Sequence, residues 1–409
     1  MLSLNSHPAG RHLLQTPGPS PVPDRILRSI GLPTIDHRGP EFAALGLQVL
    51  DGIRRLFQTR HPVAIFPATG TGAWEAALVN TLGPGDAVLM YETGHFATLW
   101  QQMARRLGLE PEFLAAPGTC LETGQPSCWR RGVDPELVEQ RLRADHGRRL
   151  KAVCVVHNET STGVTSDIAA VRRAIDAAGH PALLMVDTVS GLGAADYRHD
   201  EWGVDVAVAG SQKGLMLPPG LGFNALSPKA LDASRQARLP KSFWAWDAIL
   251  EANRDGYWPS TPNINLLYGL AEAIDMMLGE GLDAVFARHQ RLAAACRAAV
   301  QAWGLVTQCV DPARHSPALT AVVAPAGVDA DALRGLIHAR FNLSLGAGLG
   351  RLKGRVFRIG HLGDCNALGL LAALAGCEMG LRLAGVRLAG SGVSAAMERL
   401  QADTAPQAP

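Results

Sequence analysis

The sequence predicts an α/β protein with a large domain on a mostly parallel sheet flanked by helices, followed by a smaller α+β C-terminal domain. Three observations lead there. From about residue 25 to 275, short apolar runs bounded by turn residues alternate with helix-like patterns, as buried parallel strands and their crossover helices do. At 409 residues the chain exceeds the size at which one core keeps growing, so two unequal domains are expected. From about 276 to 400 the pattern changes to one long helical stretch and two isolated strand-like runs.

The elements follow in order. Residues 1–24 read as an extended N-terminal arm, because the prolines of TPGPSPVP (16–23) remove hydrogen-bond donors and fix φ. In the large domain (25–275), VAIF (63–66), DAVLMY (86–91), AVCVV (152–156), ALLMVD (182–187) and DVAVAG (205–210) are the expected strands. In the small domain (276–400), GLDAVFARHQRLAAACRAAVQAWGL is a helix, and ALTAVVAP (318–325) and KGRVFRIG (353–360) are strand-like. Residues 401–409 form a polar tail that should fray.

Composition excludes several classes. Lys and Arg total 38 against 37 Asp and Glu, so no net field attracts nucleic acid or an anionic membrane, and any anion must meet a local site. The seven cysteines are odd in number and lack CxxC spacing, which argues against a disulfide framework and a structural zinc. No HxxxH or HxH spacing appears, so no metal is expected. No run reaches the roughly 18 apolar residues of a membrane span, and the start lacks a signal-like apolar segment. A cytoplasmic protein is the expectation.

Three segments carry chemistry. In ATGTGAWEAALVN (68–80) a strand passes through a Thr/Gly turn into a helix, whose free N–H groups and small hydroxyls make a phosphate cradle. Taken alone, a tight turn that needs glycine explains it as well. In LLMVDTVSGLG (183–193), Asp187 ends an apolar strand, where burial is costly without a partner. A capping aspartate is the competing reading. In VDVAVAGSQKGLMLPPGLGF (204–223), Lys213 stands between an apolar strand and a Gly/Pro-rich loop, 26 residues after Asp187. Successive strands of one sheet would deliver both residues to one place. Pyridoxal phosphate needs such a pair: a lysine to form a Schiff base, and a carboxylate on the pyridine nitrogen.

With DHRGPEF (36–42), FPATGTGAWEAAL (66–78), HNETSTGV (157–164), DEWGVDVAVAGSQKG (200–214) and KGRVFRIGHLG (353–363) in this order, the chain resembles the class V aminotransferases, within them the serine–glyoxylate/alanine–glyoxylate group. The resemblance implies a fold-type-I pyridoxal 5′-phosphate enzyme, a homodimer with sites at the interface, acting on small amino acid and keto acid substrates. It implies Lys213 as the Schiff-base lysine, Asp187 as the pyridinium partner, and Thr69, Gly70, Thr71 and Gln212 around the phosphate. Thr160 would bond the phenolic oxygen and Phe96 would stack on the ring, although a core phenylalanine fits Phe96 too. Tyr257 and Thr261, or Ser260 in place of the latter, would reach the partner subunit's phosphate. Arg358, in a strand that should be buried, is the candidate for the substrate α-carboxylate, with an internal salt bridge as the alternative. His37 and Arg38 would reach the partner's substrate pocket.

The implied reaction moves an amino group to glyoxylate, giving glycine and a 2-keto acid; serine is the favoured donor, with aspartate, alanine or a hydroxyaspartate in the same framework. A lyase of the cysteine desulfurase type needs a reactive cysteine, and Cys365 is the candidate for it. A phosphate-binding module without catalysis would not explain Asp187, Lys213 and Arg358 together.

Overall fold

A computed structural model describes residues 10–115 and 129–402. Cys120, Cys128 and the tail expected over 403–409 lie outside them, as do the first nine residues of the arm. A seven-stranded sheet runs in the order Val63–Phe66, Gly222–Leu226, Val206–Gly210, Leu183–Asp187, Leu150–Val156, Ala87–Glu92, Glu110–Ala115. Gly222–Leu226 runs antiparallel to both its neighbours, while the other pairings are parallel.

Strand geometry explains why the apolar runs are continuous. Val153, Val155, Leu184, Val186, Ala207 and Ala209 face one core. Their neighbours Ala152, Cys154, Leu183, Met185, Val206 and Val208 face the other. Alternate residues thus serve opposite faces, both covered by helices. Two strands of this sheet were not expected. Gly222 and Asn224 interrupt the apolar signal of Gly222–Leu226, yet Asn224 is satisfied by bonds to Ala73 O and Trp246. Glu110–Ala115 carries Pro111 and two glutamates, which an edge strand tolerates because one side needs no ladder.

A second, four-stranded sheet runs in the order Leu13–Gln15, Leu343–Ala347, Val356–Gly360, Leu319–Val323. The arm is therefore more than an extended linker. Leu13–Gln15 pairs in parallel with Leu343–Leu345 as an edge strand and ends just before the prolines begin. The packing changes at Gly281, whose φ of 87° breaks a helical run: Ile264–Glu280 packs on the large sheet, and Leu282–Ala302 contributes Leu292, Cys296 and Ala299 to the small-sheet core. Gln401 and Ala402 belong to the helix Gly392–Ala402. Among the described residues no helix is long and apolar enough to cross a membrane, and no cluster of three or more His, Cys, Asp or Glu could hold a metal.

Candidate active site

The parallel strands end on one edge of the large sheet, where open α/β sheets bind ligands. After Phe66 the chain enters the helix Gly70–Thr81. Thr69 is its N-cap, in extended conformation and with its hydroxyl free of any capping bond. Helix geometry leaves the N–H groups of the first turn free and positive. A Cβ at Gly70 would lie 2.5 Å from Val189 Cγ2, so the tight turn does require glycine, and the close approach brings this helix start against the loop after Asp187. Behind it lies Gln212, whose side-chain oxygen is buried without a partner. A Cβ on Gly210 would be 3.1 Å from both Gln212 Oε1 and Gly70 N, which places amide and helix start together.

Asp187 is 4 % exposed and keeps two bonds: Oδ2 accepts from Trp74 Nε1 at 3.0 Å, and Oδ1 from Val189 N at 2.7 Å. Burial pushes its carboxyl up to about 7, the nearby Glu159 charge adding to this and Trp74, Val189 and Lys213 opposing it. The bond to Val189 is the capping contact; burial and Trp74 go beyond it. Lys213 is buried, the only one of the five lysines so placed, with Nζ donating to Pro17 O at 2.9 Å. Desolvation lowers its ammonium to about 8, the Arg358 charge pushes the same way, and Asp187 opposes. Lys213 therefore senses both the Asp187 and the Arg358 charges.

Arg358 is 7 % exposed, and its partners are carbonyls: Nε donates to Ala347 O at 2.7 Å and Nη1 to Thr160 O at 2.8 Å. No carboxylate pairs with it among the described residues, so the internal salt bridge is not formed. Burial lowers its pKa to about 10, an effect opposed by the Glu159 charge. A buried guanidinium with only neutral partners keeps the capacity to pair with an anion.

Thr160 Oγ1 donates to Ser190 Oγ at 2.7 Å, and Ser190 donates onward to Asn158 O at 2.7 Å. Phe96 is half-buried, its ring 6.4 Å from Trp74. Lys213, Asp187, Gly70, Gln212, Thr160, Phe96 and Arg358 thus gather at one edge. Tyr257, Thr261, Ser260, His37 and Arg38 do not join them: none bonds to Lys213, Asp187 or Arg358 among the described residues. Tyr257 stacks at 6.4 Å on Phe42, Ser260 and Thr261 are exposed, and Arg38 is exposed with its backbone N–H on Asp36.

Sequence reasoning missed four contributors. Trp74 is the indole donor to Asp187. Ser190 orders the Thr160 hydroxyl. The arm lies on Lys213 of its own chain, with Ser20 Oγ donating to Lys213 O at 2.8 Å; at Gly18, φ 111°, any Cβ would collide with the Lys213 side chain. Glu159, fully buried, accepts from Phe96 N (3.3 Å), Ala97 N (3.1 Å), Ser161 N (3.1 Å) and Ser161 Oγ (2.6 Å). It caps the helix His95–Arg106 that carries Phe96, a role visible in sequence only as one more acid in HNETSTG.

Cys365, the alternative nucleophile, does not fit that role. Its thiol is raised by burial, which disfavours the reactive thiolate, and it receives Gln15 Nε2 at 3.7 Å.

The Aminotransferase class-V family model matches residues 29–350. The serine–glyoxylate aminotransferase of Methylorubrum extorquens is 48 % identical over 399 residues, covering 96 % of each chain. The L-aspartate–glyoxylate aminotransferase of Paracoccus denitrificans is 45 % identical over 392 residues, covering 95 % of this chain and 96 % of that one. In structure, the pyridoxamine–pyruvate aminotransferase of Mesorhizobium loti superposes with a TM-score of 0.88 at 29 % identity, over 97 % of this chain and all of that one. With Asp187, Lys213 and Arg358 at one sheet edge, these likenesses establish that the chain belongs to the class-V aminotransferase family.

Proposed function

We propose that the protein transfers the amino group of an L-amino acid, serine foremost, to glyoxylate, using pyridoxal 5′-phosphate held at the edge of the large sheet. The observation that carries this reading is the convergence of Lys213, Asp187 and Arg358, the last paired with no carboxylate among the described residues. The residues fit the cofactor on their own terms. The free N–H groups at Gly70 and Thr71 and the Thr69 hydroxyl suit a phosphate, and the Gln212 side-chain NH2 can add a donor. Asp187, a buried carboxyl braced by Trp74, suits a protonated ring nitrogen whose charge would favour its ionised form, Phe96 suits a ring face, and Thr160 a phenolic oxygen. When bound, the cofactor supplies an electron sink for the bond broken at the substrate Cα.

The chain's own residues do the rest. Lys213 Nζ, lowered to about 8, is still mainly protonated at pH 7 but gives up its proton far more readily than an ordinary lysine, and its neutral form can take up and return the Cα proton. Asp187 holds a proton on its ring-nitrogen partner. Arg358 binds the α-carboxylate by two parallel hydrogen bonds and fixes the plane of the amino acid, which aligns the bond to be broken. Pro17 and Gly18 cover Lys213 and limit water at the amine.

We further propose a cytoplasmic homodimer in which Tyr257, Ser260 or Thr261, His37 and Arg38 complete the partner's site. That none of them bonds to Lys213, Asp187 or Arg358 of its own chain supports this, and five free cysteines among the described residues suit a reducing compartment.

The test is a panel of amino donors against glyoxylate, read as keto-acid formation. Serine should be among the best donors. Arg358→Ala should raise KM for every donor and for glyoxylate by about ten- to a hundredfold, since a hydrogen bond to a charged group common to all substrates is lost from each alike. Changes at His37 or Arg38 should instead reorder donors by side chain. The relative acting on aspartate supports a second reading: if aspartate exceeds serine by an order of magnitude, His37 and Arg38 belong to a dicarboxylate site. Glyoxylate kinetics untouched by Arg358→Ala would reject the carboxylate role.

A further inference from the structure

Arg358 is carried by the small sheet, whereas Lys213 and Asp187 hang from the large one. The distance between carboxylate clamp and amine therefore depends on what holds the two sheets in register. One polar cluster does so beside the site. Arg351, in the turn after the strand Leu343–Ala347, donates from Nη2 to Glu92 Oε1 at 2.7 Å. Glu92 is the last residue of the strand Ala87–Glu92 in the large sheet and is 6 % exposed. Trp129 Nε1 donates to the same oxygen at 2.8 Å, and the Arg351 guanidinium lies over the Trp129 ring, 4.8 Å from its centroid. The three groups thus close on one another through two charge-assisted hydrogen bonds and a cation–π contact. A carboxylate this deeply buried is costly to leave unpaired, so the bridge is held firmly.

The turn between Arg351 and the clamp has little freedom to absorb a shift. Ala347, directly before it, accepts Arg358 Nε at 2.7 Å. A Cβ on Gly346 would lie 3.0 Å from Arg358 Cβ and 3.2 Å from its Nε. Gly350, at φ 54°, packs against the His95 ring, where a Cβ would be 2.9 Å from Nδ1. The helix start that carries His95 also carries Phe96 and is capped by Glu159. The turn is packed on both sides, and what moves Arg351 moves Ala347.

We propose that Arg351 is a positioning residue for the substrate-carboxylate clamp: its bridge to Glu92 and Trp129 sets the turn over residues 348–352, and through Ala347 the Arg358 guanidinium, against the sheet that carries Lys213. The proposal rests on the reading of Arg358 as the carboxylate clamp. A bridge that merely stabilises the protein would alter melting temperature and cofactor retention. A bridge that aims Arg358 alters substrate affinity with cofactor affinity unchanged.

The experiment uses the holoenzyme of Arg351→Met, with Arg351→Lys, Glu92→Gln, the Arg351→Met/Glu92→Gln double variant and Arg358→Lys alongside. For Arg351→Met, KM for glyoxylate and for every amino donor should rise together by about tenfold, with kcat changing less. The pyridoxal phosphate dissociation constant and the visible absorbance of the bound cofactor should stay at their wild-type values. Arg351→Lys should recover part of the loss, because a point charge restores the ion pair but not the planar stack. The double variant should be no worse than the poorer single, as expected of partners in one bridge. An unchanged KM in Arg351→Met overturns the proposal. If Arg358→Lys raises KM in the same series, the bridge alone is rejected; if neither moves KM, the clamp reading fails and takes the bridge with it. Cofactor release that rises in step with KM also overturns it, since that is general loosening. Should Glu92→Gln not fold, the two Arg351 variants still decide, because that side chain is 33 % exposed and its loss leaves no large cavity.

Discussion

Lys213→Ala is expected to abolish transamination, lowering turnover by at least about a thousandfold while leaving the fold intact. The side chain supplies both the covalent anchor and the amine that moves the Cα proton, so its loss removes two functions at once. Stability should not suffer. The folded ammonium is lowered to about 8 from 10.5, so below pH 8 the folded state bears the cost of a buried charge that the unfolded chain escapes. That cost is relieved as pH rises from about 8 toward 10.5, where the unfolded amine holds a proton that the folded one has released. Without cofactor, the variant should be at least as resistant to thermal unfolding as the wild type at pH 7, and the advantage should shrink above pH 8. Turnover above trace levels would remove Lys213 from its role.

Asp187→Asn should retain the cofactor and lose turnover by about a hundredfold or more, because a neutral amide cannot hold a proton on the pyridine nitrogen. The geometry favours retention: an amide oxygen can still accept from Trp74 Nε1 or Val189 N, and the phosphate contacts lie elsewhere. A second signature separates this role from turn capping. The folded carboxyl sits at about 7 against its ordinary 3.8, so in the cofactor-free protein it keeps a proton that the unfolded chain loses between about pH 4 and 7. Stability contributed by Asp187 therefore falls as pH rises through that window. Denaturant unfolding of the cofactor-free proteins should show this slope in the wild type and a flatter one in the variant. Wild-type turnover in Asp187→Asn, or identical slopes, would leave Asp187 a turn residue only.

Much of this was legible in the sequence because the large sheet is buried on both faces and therefore writes itself as continuous apolar runs. The strands ending at Phe66, Asp187 and Gly210 were visible for that reason, and strand ends mark the ligand edge without knowledge of side-chain geometry. Gly222–Leu226 was hidden because Asn224 breaks the apolar run and is satisfied by contacts distant in sequence. The strand Leu13–Gln15 was hidden because three residues carry no period. Within the site, Arg358 was found because a charge in an apolar strand is conspicuous. Glu159, Ser190, Trp74 and Arg351 were not, because each acts through a partner far along the chain: Phe96, Thr160, Asp187 and Glu92. Such pairings exist only after folding. The arm shows the same limit. Its prolines announced an extended segment, but only the fold shows Pro17 and Gly18 lying on Lys213.

The central claim is that Lys213 carries the cofactor, and borohydride reduction of the holoenzyme tests it most directly. Reduction fixes the cofactor to the nitrogen that holds it, and peptide mass spectrometry then locates the added pyridoxyl phosphate mass. The chain offers five candidates, Lys151, Lys213, Lys229, Lys241 and Lys353. Lys213 alone is buried, at the edge shared with Asp187 and Arg358, and the account predicts the mass on the Lys213 peptide with the other four unmodified. Stoichiometric labelling of another lysine, or a reduced protein with no covalent cofactor, would contradict it.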